Sequence, residues 1–374
     1  MIHPITIRVI NDPLGIPPST NGVMGIFVKG IAVASTLVLN TAYLLTKLSD
    51  LTDKGVDNDY DLANQLAVYQ QVSEFYSQAG DGALLWLVVV PTNTAFATYV
   101  ASDTFSGLIQ FTTLADPANR VKMIGLCYDV PTAAQSAADF PADVTNSITA
   151  LQTAQENLFD LGFQFSGIID GYNMSSTITP STLITMATRS AQSVSMCITG
   201  TRPNGVSAVG LALGRFARIS IGHGFGAVED GPVNTNTAYL TNGIEVGEEV
   251  ISGTGGTLIA GKEYTVFGGA IEYNSAAYQI GDKFTATGGF TTFTTIDGGY
   301  VATGFTEVGS LTPSQVDSLG LKQYLFLRTW FNHSGFYWND GATCTSSTLP
   351  LSTQEYNRVA NALSADALTI FIDE

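Results

Sequence analysis

Residues 59–91 read DYDLANQLAVYQQVSEFYSQAGDGALLWLVVVP, and this stretch decides the fold class. Its first part is predicted helical over Asp59–Gln78. Leu62, Leu66, Tyr69, Val72 and Tyr76 recur three to four residues apart, which places them on one helical face. The acidic residues at its start suit the positive end of a helix. The second part, Ala83–Val90, is an unbroken apolar run stopped by Pro91. A run that short and that apolar reads as a strand covered on both faces.

The same alternation continues outward. A weaker helix is predicted over Phe96–Phe111, then a strand at Val121–Leu126. A strong helix follows over Asp143–Leu161, striped by Val144, Ile148, Leu151, Leu158 and Leu161. Gly167–Asp170 reads as strand, Pro180–Arg189 as helix, Ser193–Ile198 as strand and Val206–Phe216 as helix. Helix and apolar strand recurring about every 35 residues predict an α/β (α+β mixed) fold, a parallel or mixed sheet covered by helices.

The flanks differ. Residues 1–30 read as an extended N-terminal arm leading into a first strand: Ile5, Ile7 and Val9 alternate with polar residues, and NDPLGIPPSTNG follows. Residues 31–242 form the α/β part. Residues 243–306 turn to short Thr/aromatic strands, Lys262–Phe267, Ala270–Tyr273, Lys283–Thr287 and Phe290–Ile296, separated by GG, NS and DGG. This pattern predicts a small antiparallel β insertion domain. Residues 307–374 return to the core pattern: a helix over Thr312–Leu319 with Pro313 at its start, a strand over Tyr324–Trp330, a helix over Ser352–Ala367 and LTIFIDE as a terminal strand.

Composition narrows the function. The chain has 374 residues, 45% hydrophobic and only 13% charged, with 38 glycines. Disorder is excluded, and a low-charge surface suits a subunit whose faces are covered by neighbours. The formal net charge of −17 argues against direct nucleic-acid contact and against an anionic membrane surface as partner. Ala83–Val90 is too short to cross a bilayer. The opening MIHPITIRVI lacks the basic-then-apolar order of a signal peptide. Cys127, Cys197 and Cys344 are far apart and read as buried reduced thiols.

No residue set points to catalysis, a cofactor or a metal. His3, His223 and His333 lack metal-site spacing, and no Walker A, G-x-S-x-G or S-x-x-K pattern occurs. GHGFG at 222–226 resembles a phosphate loop only superficially, because EDGPV follows it where a helix would be needed. GTGG at 253–256 reads as a hinge. Asp53, Asp57, Asp59 and Asp61 fail the calcium-loop pattern, since Leu62 and Val68 fall where Gly and Glu are required. They read as a polar turn capping the next helix.

Two segments resemble the contractile phage tail sheath family, which also serves phage-tail-like injection systems. VGLALGRFARISIGHGFGAVEDGPV (209–233) is similar to that family's small-residue helix, Arg-containing turn and extended G-x-V-x-D-G-P stretch. LGLKQYLFLRTWFNHSGFYWNDGATCTSSTLPLSTQEYNRVANALSADAL (319–368) is similar to its strand, glycine-aromatic run, Ser/Thr turn and Arg-Val helix, here Gly335, Phe336, Tyr337, Asn339, Asp340 and Arg358–Val359. The resemblance implies a non-enzymatic, cofactor-free subunit that polymerises as stacked hexameric rings around an inner tail tube. Its further implied partners are baseplate and tail terminator proteins. The implied location is the virion tail, made and assembled in the host cytoplasm. It implies that Ile5, Ile7 and Val9 add a strand to a neighbour's sheet and that contraction releases a metastable packing. It also implies a further C-terminal domain, whereas this sequence runs only to Glu374, as a truncated chain or a short variant would. Two other readings stay open on the residues alone: another virion or adhesin component, and an α/β enzyme whose site has no recognisable signature.

Overall fold

The computed structural model describes residues 22–101, 120–131, 135, 138–159, 163–175, 177–219, 224–242, 251–252, 257–267, 270–279, 281–296, 299–302, 306–349, 351–355, 357–358 and 360–361. Its centre is a six-stranded mixed sheet. The strands are β1 (Met24–Gly30), β2 (Ala42–Leu45), β3 (Leu85–Pro91), β4 (Met123–Cys127), β5 (Ser166–Asp170) and β6 (Val194–Cys197), in the spatial order β2-β3-β1-β4-β5-β6. All neighbours are parallel except β2, which runs antiparallel to β3 at one edge. Every residue of β1, β4, β5 and β6 is buried, which explains why their sequences are continuous apolar runs without alternation. Met24–Gly30, grouped by the sequence with the N-terminal stretch, is the central strand.

Two glycines show that helices cover both faces. In the β4–β5 register Ile124 pairs with Gly167 and Gly125 with Ile168, so Gly125 and Gly167 point to opposite sides. A Cβ at Gly167 would run into Leu151 of the helix Ala142–Phe159. A Cβ at Gly125 would meet Val209 and Leu213 of the helix Val209–Arg218, 2.7 and 2.8 Å away. The result is three layers, helix–sheet–helix, around one apolar core.

Three sequence expectations change. The helix expected over 59–78 is two, α1 (Asn58–Asn64) and α2 (Val68–Ala79). Gln65 takes a left-handed conformation, φ 54°, and ends the first. The buried Asp61 carboxylate then accepts the Val68 and Gln70 amides, both at 2.9 Å, and starts the second. Asp57 caps α1 through the Tyr60 amide, as a polar capping turn should. Pro180–Arg189 is not a helix: turns lead to a 3₁₀ turn at Met186–Thr188. Its carbonyls are taken from outside, Pro180 by Ser318 Oγ at 3.1 Å and Ser181 by Lys322 Nζ at 2.8 Å. The strand expected over Tyr324–Trp330 shrinks to Leu327–Arg328, paired with Tyr337–Trp338. Of Phe96–Phe111, Phe96–Ala101 is helical and residues 102–111 lie outside the described residues, as does LTIFIDE. Pro313–Leu321 is a helix with a Thr312–Gln315 capping box and Pro313 in its first turn.

The β-rich stretch has its own centre. Strands Glu263–Phe267, Lys283–Thr285, Tyr300–Ala302 and Ile251–Ser252 make one antiparallel sheet. Ala270–Tyr273, Ala276–Tyr278 and Thr294–Ile296 make a second. Asn274 and Ser275, both at positive φ, form the tight turn between two of them. Tyr264, Val266, Ile271, Tyr273, Phe284 and Val301 close a hydrophobic cluster separate from the main core. Its stem is narrow. The Leu240 amide bonds to Thr306 O at 2.9 Å and the Val308 amide to Ala238 O at 2.8 Å. Above the stem, Tyr239 Oη donates to Gly281 O at 2.8 Å.

Because the stem brings the two chain ends within one hydrogen bond, a short Gly/Ser linker in place of residues 248–303 should leave the core folded. Circular dichroism should retain the helical signal and a single cooperative melt. Loss of both would show that these strands complete the main core.

Candidate functional site

In an open α/β sheet, chemistry is expected beyond the carboxyl ends of the strands where the strand order reverses, here past β1 and β4. The chain fills that place with its own side chains. Asp143 accepts the Phe96 amide at 3.0 Å, the Ala97 amide at 2.9 Å and Tyr128 Oη at 2.9 Å. Lys29 Nζ lies 4.0 Å from Asp143 and 4.5 Å from the centre of the Tyr128 ring. Asp170, at the end of β5, accepts the Tyr128 amide at 3.1 Å and the Ser207 amide at 2.8 Å. Burial pushes its carboxyl up to about 7, against these amides, which pull it down. Glu74 is raised by burial too, and accepts Thr201 Oγ1 at 2.5 Å and Gln70 Nε2 at 2.9 Å. Asp170 ties loops to the end of a strand, while Asp143 and Glu74, both on helices, hold the start of the helix Phe96–Ala101 and the Thr201 loop. Burial raises all three thiols, Cys197 and Cys344 to about 12, which leaves them protonated and unreactive. Among the described residues no His, Cys, Asp and Glu group is arranged to hold a metal ion.

The feature that unites distant sequence lies at the far end of α3 (Val209–Arg218). This helix is seated on α2 through Gly210 and Gly214. A Cβ on either would overlap the backbone of Gln71 or Phe75, so the two helices touch main chain to main chain. Gln71 then caps α3: its Oε1 accepts the Gly210 amide and its Nε2 donates to Ser207 O, both at 2.6 Å. So held, α3 presents Arg215 and Phe216 to the loop after it. Arg215, fully enclosed, donates to Ala227 O at 3.1 Å and Asp230 O at 3.2 Å, and pairs with the Asp230 carboxylate at 3.4 Å. Val228–Asp230 is accordingly a 3₁₀ turn wrapped on a guanidinium, where the resemblance implied an extended stretch.

The second resembling segment closes on the same loop. Phe225 stacks on Phe216, centroids 4.0 Å apart, and leans on Trp338 at 5.2 Å. The Phe225 amide donates to Glu355 Oε1 at 2.7 Å and the Val233 amide to Phe336 O at 2.8 Å. Arg358 donates to Ile219 O at 3.3 Å, with its guanidinium 5.4 Å from the Phe216 ring centre. Burial draws Arg358 down to about 10. Asn339 anchors the preceding strand, accepting the Phe326 amide and donating to Tyr324 O, both at 2.9 Å. Gly335 sits at φ 89° against Pro232, a conformation that favours glycine.

This joint is sewn to the open side of β6. Leu325 N donates to Met196 O at 2.9 Å and Ile198 N to Leu325 O at 3.1 Å. Cys344 N donates to Val194 O at 2.7 Å, and Gln354 Nε2 reaches Ser195 Oγ at 2.9 Å and Gly167 O at 3.1 Å. The described residues of 209–233 and 319–358 thus form one block.

Gly335, Phe336, Tyr337, Asn339, Asp340 and Arg358 all lie in or beside the joint. Val359, Ile5, Ile7, Val9, His3 and His223 fall outside what is described. His333 is exposed on the hairpin, edge-on to Tyr337 at 6.0 Å. Sequence reasoning missed Gln71 and the glycine pair of α3. The spacing Gly210–Gly214, four residues apart in an apolar helix, was the available signal.

Fold and joint define an α/β protein. A family model, DUF2586, N-terminal domain, matches residues 2–267, and the chain belongs to that family. No curated protein matches the sequence. Among solved structures, the chain is similar to the sheath complex of an extracellular contractile injection system (PVC) in the contracted state. That likeness has 10% identity, covers 99% of this chain and 73% of the other, and has a TM-score of 0.45. It is also similar to a chain of the anti-feeding prophage baseplate, with 9% identity, 99% and 75% coverage and a TM-score of 0.44. The contracted helical sheath of the same prophage gives 10% identity, 97% and 76% coverage and a TM-score of 0.44.

Gly226 tests the joint. A Cβ there would overlap the carbonyl of Asn339, and that backbone has no flexible end to move away. Gly226→Ala should cost about 1–3 kcal/mol in urea unfolding, as overpacking does. Gly224→Ala, whose Cβ would meet only Ala227 at 3.9 Å, should be neutral or slightly stabilising. Equal effects from the two would mean that the loop does not press on the 338–339 strand.

Proposed function

We propose that this chain is a structural subunit of a contractile tail sheath, of a phage tail or of a related injection system. The supporting observation is the joint. The two stretches that resemble sheath proteins are separated by the whole β-rich unit, yet they meet through Phe225, Trp338, Glu355 and Arg358 as one block. A shared local pattern in two separate places is weak support; the same two places packed on each other support the reading more strongly.

In this reading the helix–sheet–helix core is the rigid part of each subunit. Subunits stack as hexameric rings around an inner tube, with baseplate and terminator proteins at the ends. Residues 1–20, with Ile5, Ile7 and Val9 alternating, form an arm that pairs with a neighbour's sheet edge, so rings stay linked while they rotate and compact. The β-rich unit faces outward. The buried carboxylates and thiols are structural, and the work of contraction comes from packing, not from a bound cofactor. Among the described residues no helix is long and apolar enough to cross a membrane.

Purified full-length chain should form rings or tubes of tail width under negative-stain microscopy. Deleting residues 1–12 should leave the melting transition intact and abolish those assemblies. If the deletion unfolds the protein, the strand belongs to its own core and the arm is wrong. If the full-length chain stays monomeric at every concentration, salt and pH tried, the sheath reading itself is wrong.

A further inference from the structure

Residues 199–208 run as a strap from the end of β6 to the start of α3, and they tie the core to the β-rich unit. On the outer side Thr199–Gly200 pairs antiparallel with Tyr239–Leu240 at the foot of the stem, and Thr237 Oγ1 donates to Thr201 O at 2.9 Å. On the inner side two acids from different elements hold the strap. Glu74 of α2 accepts Thr201 Oγ1 at 2.5 Å, and Asp170 of β5 accepts the Ser207 amide at 2.8 Å. Two glutamines of α2 hold the stretch between: Gln70 Oε1 accepts Asn204 Nδ2 at 2.9 Å, and Gln71 Nε2 donates to Ser207 O at 2.6 Å.

Among the described residues neither acid forms a salt bridge. Asp170 is fully buried, and the charge that acts on it most is another acid, Asp129. Cys127 and Tyr128 face it from the end of β4, Tyr172 from just past its own strand and Cys197 from β6, while Glu74 faces both thiols from α2. The cations of this region serve other groups first. Lys29 lies between Asp129 and Asp143. Arg202, half-buried, acts on Asp61 and Glu74 from a distance and donates to Asn58 Oδ1 at 3.4 Å.

Each acid has a place for a proton instead. Glu74 receives both of its hydrogen bonds on Oε1, from Thr201 and from Gln70 Nε2 at 2.9 Å, and its buried Oε2 has no donor. Against Asp170 lies the buried Ser207 hydroxyl, which has no fixed partner. A hydroxyl can accept from the neutral acid or donate to the carboxylate, so both forms are tolerated there. A carboxyl enclosed without a counter-ion keeps its proton. Burial accordingly raises Glu74 and carries Asp170 to about 7.

We propose that Glu74 and Asp170 make the strap a proton-dependent latch, which clamps the foot of the β-rich unit to α2 and the sheet while the acids are neutral and opens as they ionise. Opening admits water, and the carboxyls return to their ordinary affinity. The closed form thus binds protons that the open form does not. This stabilisation is complete below the ordinary carboxyl range and is lost as pH rises through the buried values, near 7 for Asp170. Opening should become about tenfold more frequent from pH 6 to pH 8 through Asp170 alone. The latch lies within one chain, so it holds or fails independently of the sheath reading.

Hydrogen exchange of the full-length chain, corrected for the intrinsic rate at each pH, tests it. The Ser207 and Gly210 amides, bonded to Asp170 and Gln71, should lose about tenfold in protection from pH 6 to pH 8. The Thr241 amide, bonded to Ile198 O beside the stem pair, should follow them. Their exchange should ignore low urea, as local opening does, whereas β3 should respond to it. Asp170→Asn, which cannot ionise, should abolish the pH dependence at Ser207 and Gly210. Glu74→Gln keeps both bonds on Oε1 and should reduce the dependence at residues 201–204; it decides the matter if Asp170→Asn does not fold. Equal protection at the two pH values in the wild type would overturn the latch. So would a pH dependence undiminished in a folded variant, or a strap that exchanges only together with β3.

Discussion

The backbone contact of Val209–Arg218 on Val68–Ala79 is the constraint on which the rest depends. Gly210 and Gly214 let the two helices meet without intervening side chains, and Gln71 spans the gap with its amide. Any larger residue would lift the helix from the sheet, where Val209 and Leu213 fill the space left by Gly125. It would also move Arg215 and Phe216, and these organise everything after them. One hydrogen-bonded side chain thus links helix packing, sheet covering and the loop at 224–233.

From there the chain of causes runs outward to the sheet edges. Arg215 shapes the 227–230 turn, Phe216 receives Phe225, and Phe225 receives Trp338. The C-terminal segment is thereby held against β6, whose backbone it pairs through Leu325 and Cys344. A paired edge offers no template for stray association, while β2 at the other side remains an edge among the described residues. The buried carboxylates fit the same picture, since each is spent on capping amides or holding loops.

Much of this was legible in the sequence. Leu85–Pro91 and Ser166–Asp170 are buried on both faces and so lose the alternation that would confuse them with surface strands. Thr312 and Pro313 marked a helix start through local chemistry alone. The failures have a common origin in tertiary hydrogen bonds. Asp61 splits a continuous helical stripe because its carboxylate prefers the amides of the next turn. Pro180–Arg189 looks helical, but Ser318 and Lys322 take its carbonyls from more than a hundred residues away. β1 was hidden in a Gly- and Pro-rich neighbourhood. The joint was half visible: its two segments stood out by resemblance, and their contact required the fold.

The central claim is that the loop at 224–233 and the segment at 325–344 belong to the same cooperative unit as the sheet. Native-state hydrogen exchange tests it most directly. The amides of Phe225, Val233, Leu325 and Cys344 bond to Glu355, Phe336, Met196 and Val194. They should exchange only by global unfolding, with the same denaturant dependence as the amides of β5. Exchange of these four through a local opening, while β5 stays protected, would contradict the account.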